Sequence, residues 1–125
     1  DLALNSVYAS GWSVLAELAL AVGDNVAHKH CQEQFQISSH AIQSRMWDET
    51  AHSFQSVYID TGGKEQFSIA NSVQNLFPLL LKDLPVEKVD QITNQLADEQ
   101  AFNAPFSIPT VSASVKRQKN MVLYL

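Results

Sequence analysis

The residues of this chain that could do chemistry are four histidines, one cysteine and several carboxylates. They raise three possibilities: metal binding, thiol chemistry and acid–base hydrolysis. His28 and His30 stand with Glu33 on one predicted helix. Positions two apart on a helix point about 200° away from each other, so the two imidazoles cannot share an ion. They read as a solvated polar face. His40 and His52 stand alone, and no metal is expected. Cys31 falls on the apolar stripe of the same helix and reads as a buried structural thiol. One cysteine also excludes an intrachain disulfide framework and a cysteine-based zinc site. Gly62-Gly63-Lys64 lacks the wider spacing of a phosphate-cradling loop, so it reads as a turn and no cofactor is expected. Glycoside hydrolysis needs an acid and a base held several ångströms apart. Asp48-Glu49 and Asp98-Glu99 read as polar ends of helices, and Asp1 reads as an N-cap. Spacing alone names no acid and base pair.

These residues belong to a chain of 125, with 46% apolar and 17% charged residues, a composition that suits a soluble globular protein. A net charge of −5 makes it acidic, and its one basic cluster, Lys116, Arg117 and Lys119, is short and terminal. That excludes a nucleic-acid binder. No apolar run approaches the ~20 residues of a membrane span. The first residue is Asp1, without a signal-peptide pattern, so a piece of a longer, cytoplasmic protein is expected.

The elements that must position the site follow from periodicity. Leu4, Val7, Tyr8, Gly11, Trp12, Leu15, Leu18, Ala19 and Val22 recur at spacings of three and four, a stripe that predicts a helix over residues 2–22. Gly23 ends it and Asp24 caps a second helix through Ala27, Cys31, Phe35, Ile42 and Met46. So short a turn predicts antiparallel packing. Residues 47–66 change period and read as a small hairpin or extended loop, with a turn at Thr61-Gly62-Gly63. Residues 67–81 return to helical spacing with few charges and predict a helix buried nearly all round, which Pro78 kinks or stops. Pro85 opens a fourth, one-sided helix through Val86, Val89, Ile92 and Leu96. Pro105 and Pro109, with Phe106, Ile108 and Val111, predict an extended segment over residues 101–114. The two tight turns lie at one end of the two predicted helical hairpins. The long connections, residues 47–66 and 98 onward, must then meet at the other end, beside Asp1, and that is where a site is expected.

The strings Asp1-Leu2-Ala3-Leu4-Asn5-Ser6 with Tyr8, Leu15-Ala16-Glu17-Leu18-Ala19, Gly23-Asp24 and Met46-Trp47-Asp48-Glu49 resemble the inverting glycosidases with an (α/α)6 barrel. Phe77-Pro78-Leu79-Leu80, Leu84-Pro85, Phe102 and residues 105–112 add to this likeness. The chain is most similar to glycoside hydrolase family 63, which holds mannosylglycerate and glucosylglycerate hydrolases, with trehalases and debranching glucosidases as near relatives. The resemblance implies that residues 1–125 are part of an (α/α)6 catalytic domain, an all-α fold in which the first and third helices face inward and the second and fourth outward. It implies a carbohydrate substrate, an α-glucoside or α-mannoside, and it places the general acid upstream of this stretch and the general base downstream. No residue here inherits a catalytic role. Asp1, Asn5 and Tyr8 match polar positions at the start of an inner helix, which implies sugar-side roles, and Trp47 is a candidate rim aromatic as well as a candidate hydrophobic plug. Thr110 and Ser112 lie on the segment returning to that side. Ala51-His52 replaces the family's commoner Thr-Gly turn, and the chain after Ser112 departs from the family's pocket-building segment. From a different class, the alternative is a free-standing helical-repeat module that binds a partner protein. Such a module calls for polar capping faces, whereas the largely apolar third helix and the Trp12 stripe predict sticky surfaces completed by further hairpins.

Overall fold

The structure is a computed structural model and describes residues 1–68, 71–103, 105 and 108–113. Two long antiparallel helices dominate it, α1 (Leu2–Ala21) and α2 (Asn25–Arg45). Asp1 caps α1 by accepting a hydrogen bond from the Leu4 backbone N–H at 2.9 Å, and Asp24 caps α2 through the Ala27 N–H at 2.9 Å. Between them Gly23 takes φ +78°, a left-handed turn that a side chain would strain. The helix–turn–helix is as the sequence predicts.

Most of the predicted stripe of α1 is open, as a surface to be completed by further hairpins would be, and a second face packs on the rest of the chain. Leu2, Ser6, Ala9, Ser13, Ala16 and Ala19 are buried, whereas Leu4, Val7, Tyr8, Leu15, Leu18 and Val22 are half or more exposed. The reason is that α1 is apolar nearly all round, so periodicity shows a stripe of large side chains without showing which stripe packs. Small residues win the contact because they let α2 and residues 73–80 approach closely. Buried Ser6 is satisfied locally, its hydroxyl donating to the Leu2 carbonyl at 2.8 Å.

Residues 47–67 form two small antiparallel ribbons, which gives substance to the predicted hairpin. β1 (Trp47–Asp48) pairs with β2 (Ser53–Phe54), and β3 (Val57–Ile59) pairs with β4 (Glu65–Phe67). In the first turn the Asp48 carboxylate accepts from the Thr50 and Ala51 N–H groups, and His52 sits at φ +48°. A left-handed non-glycine residue is strained, and His52 stands where glycine is the commoner choice. His52→Gly should therefore raise stability by about 0.5–1 kcal/mol, read as a higher urea midpoint at unchanged slope. In the second turn the Asp60 carboxylate accepts from the Gly62 and Lys64 N–H groups, both at 2.9 Å, and from Gln66 Nε2 at 3.1 Å. The hydrogen bonds from Lys64 and Gln66 hold its pKa below the ordinary 3.8. A depressed carboxylate pKa stabilises the turn above the unfolded value, and that support is lost as pH falls through the folded one. The Gly62 and Lys64 amide NMR signals should accordingly shift with a midpoint below pH 3.8.

The third predicted helix is the largest correction. Residues 65–67 are strand, and a 3-10 helix (Val73–Leu80) follows in place of a long α-helix, while Ile69 and Ala70 of the prediction lie outside the described residues. Pro78 lacks the N–H and crowds the preceding turn, so α-helical geometry is lost around it. Ser72 and Asn75 form a capping box that starts the tighter coil. It is half-buried rather than buried all round, with Leu80 51% exposed.

After the turn at 81–85 comes α3 (Val86–Ala97), with Pro85 at the N-cap, one position before the predicted place. Of its predicted stripe Ile92 is buried, Val89 and Leu96 are half-buried, and Val86 is exposed. Lys88 ties α3 down: its ammonium donates to the Gln43 carbonyl at 3.1 Å and lies 4.6 Å from the Trp47 ring centre. Desolvation there lowers its pKa, against the opposing pull of Glu49. The predicted extended segment is extended only in part: residues 101–102 form a turn closed by Ala101 N–H and Asn103 N–H on the Asp98 carbonyl, whereas Ser72 and Val111 form an antiparallel bridge, flanked by Val73 N–H to Thr110 O and Ser112 N–H to Asn71 O, both 2.9 Å. Phe106 lies outside the described residues.

Leu2, Phe35, Ile42, Met46, Trp47, Phe54, Leu81 and Ile92 meet in one core. It joins the start of α1, the end of α2 and the first ribbon. The first long connection does lie at the Asp1 end, where Leu2 N–H donates to Ser56 Oγ at 3.0 Å, and Asn75 Nδ2 donates to the Phe54 carbonyl at 2.7 Å; residues 110–112 of the second pair with residues 71–73. Among the described residues no helix is long and apolar enough to cross a membrane.

Candidate functional site

Asp1, Asn5 and Tyr8 are separated by four and three residues, a spacing that puts all three on one side of α1. The Asp1 cap fixes where that helix begins and so fixes the three side chains relative to one another. They line a cleft of about 460 Å³ between α1 and α2, closed at one end by the second ribbon. Across from them α2 contributes Ser38, Ala41 and Arg45, and the ribbon contributes Val57, Ile59 and Glu65.

The floor and walls are mixed. Ile42 and Met46 form an apolar base, and Asn5 Nδ2 lies 3.8 Å from Met46 Sδ as a weak donor to it. Tyr8 is 55% exposed, and its ring lies edge-on to Trp12 at 5.8 Å between ring centres. Arg45 forms an ion pair with Glu65, which bridges the end of α2 and β4 over the cleft. Both groups are substantially exposed, so the pair contributes little to stability. Its value is to orient a guanidinium and a carboxylate at the rim.

Each carboxylate in the lining already has a partner, Asp1 through the Leu4 N–H and Glu65 through Arg45. Carboxylates held in this way are fixed hydrogen-bond acceptors. With the Asn5 amide, the Ser38 and Tyr8 hydroxyls and the Arg45 guanidinium they can meet the hydroxyls of a polyol, while the Tyr8 ring can stack on its apolar face.

Three of the four sequence candidates thus share one cleft. Trp47 lies apart from it, 7% exposed, edge-on to Phe54 at 4.9 Å and covered by Lys88. Its place is that of the hydrophobic plug, because β1 turns the ring toward the core formed with Phe54. Thr110 is exposed and Ser112 buried on the strand-like segment beside Asn71, away from the cleft lining. Sequence reasoning missed Arg45 and Glu65. Arg45 carried a weak signal, a lone cation at the end of α2, but its meeting with Glu65 depends on the fold of the second ribbon.

The remaining chemical candidates keep structural roles. His28 Nδ1 lies 2.8 Å from the Ala16 carbonyl, and His30 packs edge-on to Trp12 at 5.8 Å. His52 sits in the first ribbon's turn with its carbonyl accepting from Gln95 Nε2 at 3.1 Å, and Cys31 is a buried free thiol. Among the described residues, no group of three or more histidine, cysteine or acidic side chains is arranged to hold a metal ion.

Compared with known proteins, residues 1–118 match the family model described as the mannosylglycerate hydrolase MGH1-like glycoside hydrolase domain. No curated protein matches the chain significantly.

Proposed function

Because the chain belongs to the MGH1-like glycoside hydrolase family, we propose that it is part of an (α/α)6 catalytic domain that hydrolyses α-glucosides or α-mannosides with inversion. In that reaction a protonated acid gives its proton to the leaving oxygen while a base activates water on the opposite face of the sugar. Neither group is assigned to residues 1–125. These residues supply the sugar-side surface: Asp1 and Asn5 accept and donate to sugar hydroxyls, and Tyr8 stacks on the ring. The observation that supports this reading best is the convergence of Asp1, Asn5 and Tyr8 on one polar-rimmed cleft within the stretch that the family model matches. A free-standing interaction module calls for polar capping faces, and the open apolar side of α1 disfavours it.

The reading has a direct assay. The purified 125-residue chain, incubated with α-glucosides and α-mannosides including mannosylglycerate, should release no sugar. Turnover by the wild-type chain that is abolished in Asp1→Asn or Glu65→Gln would place a catalytic carboxylate within residues 1–125 and overturn the assignment.

A further inference from the structure

The register of the second ribbon decides which of its side chains face the cleft. Ile59 stands opposite Glu65 and Val57 opposite Phe67, and residues two apart on a strand point the same way, so these four share one face. That face closes the cleft, since Val57, Ile59 and Glu65 all line it. Three of the four side chains are apolar and the fourth is a carboxylate. A carboxylate gives up part of its hydration among such neighbours, and the compensating charge is Arg45, which reaches over from the end of α2.

The pair is held in place and still has bonds to make. The Asp60 carboxylate pins the ribbon's turn through the Gly62 and Lys64 N–H groups and ties Gln66, the neighbour of Glu65, to that turn. Arg45 sits in the last turn of α2. Its Nη2 donates to Glu65 Oε1, and among the described residues the other guanidinium N–H groups and Glu65 Oε2 have no hydrogen-bond partner. A guanidinium edge beside a carboxylate oxygen offers a donor and an acceptor about one hydrogen-bond length apart. Hydroxyls on neighbouring carbons of a pyranose have that same separation.

We propose that Arg45 and Glu65 together determine specificity for the sugar in the cleft: an Arg45 N–H donates to one hydroxyl oxygen, and Glu65 Oε2 accepts from the hydroxyl on the next ring carbon. This rests on the cleft being the sugar-facing surface. Both bonds are charge-assisted and so stronger than neutral ones, while the two charges cancel each other. The second and third hydroxyls lie equally close in glucosides and mannosides, so the pair demands two adjacent hydroxyls rather than one sugar configuration.

Amide NMR titrations of the 125-residue chain with methyl α-mannoside and its monodeoxy forms test this. The parent glycoside should shift Asn5 and Tyr8 in the wild type. It should bind about tenfold more weakly to Arg45→Lys, which keeps the charge without the planar fork, and to Glu65→Gln, which keeps the shape without the charge. The double variant should lose little more than either single one, because each partner orients the other. At least one monodeoxy glycoside should bind the wild type about tenfold more weakly than the parent does, and should bind the double variant as the parent does. Both positions are exposed, so the urea midpoints should not move. Shifts at Asn5 and Tyr8 with equal affinity in every variant, or equal affinity for every monodeoxy form, would overturn the pair and leave the cleft reading standing. No shift at Asn5 and Tyr8 with any glycoside would overturn both.

Discussion

Phe54→Ala will destabilise the chain by about 4 kcal/mol, the middle of the range for removing a fully buried aromatic ring. Phe54 is 0% exposed, and its ring is held edge-on to Trp47 with the Lys88 ammonium 5.5 Å from its centre. It stands where the first ribbon, the 3-10 helix and α3 converge on the ends of α1 and α2. Removing the ring leaves a cavity that the ribbon cannot close, because β2 is pinned by its pairing with Trp47 and by Asn75. A domain of this size has about 5–15 kcal/mol in all, so the variant should be close to unfolded at 37 °C. Urea denaturation followed by tryptophan fluorescence measures it. A loss below about 1 kcal/mol would mean that the ring is not a core element.

Asn75→Leu should cost about 3 kcal/mol, for a polar reason. Asn75 is 5% exposed, and its Nδ2 donates to the Phe54 carbonyl at 2.7 Å and to Gln55 Oε1 at 2.9 Å. Its Oδ1 accepts from the Ser72 N–H at 3.3 Å, completing the cap of the 3-10 helix. Leucine keeps the branched shape with bulkier methyl ends and orphans two buried acceptors, each of which costs about 1–3 kcal/mol when left dry. Asn75→Asp separates hydrogen bonding from packing, since a carboxylate keeps the shape and turns an acceptor toward two acceptors. It should be at least as damaging as leucine. Because Asn75 bonds the Phe54 backbone, the double variant Phe54→Ala, Asn75→Leu should lose less than the sum of the two single losses.

These two residues mark the limit of what the sequence makes legible. The helix caps Asp1 and Asp24, the turn at Gly23 and the break in period after Met46 are local signals, and local hydrogen bonds realise them. The buried side of α1 depends on which of two stripes its neighbours can approach, and a helix that is apolar all round carries no such information. The 3-10 helix is a similar case, since its Val, Leu and Phe spacing suits an α-helix and only Pro78 and the Ser72 cap argue against one. Asn75 gave no sign of its place because its partners, Phe54 and Gln55, are some twenty residues away.

The candidate site divides along the same line. Asp1, Asn5 and Tyr8 share a helix face by spacing alone, so their grouping was readable from the sequence. Arg45 and Glu65 come together only through the second ribbon, and Trp47 is drawn inward by a strand pairing that periodicity could not place.

The central claim, that the cleft between α1 and α2 is the sugar-facing surface of a glycoside hydrolase domain, is tested most directly by amide NMR of the 125-residue chain titrated with mannosylglycerate. The account predicts fast-exchange shifts that gather at Asn5, Tyr8, Ser38 and Arg45 and that are lost in Tyr8→Ala. Shifts clustered on α3 or around the Gly23 turn, or none at tens of millimolar sugar, would contradict it.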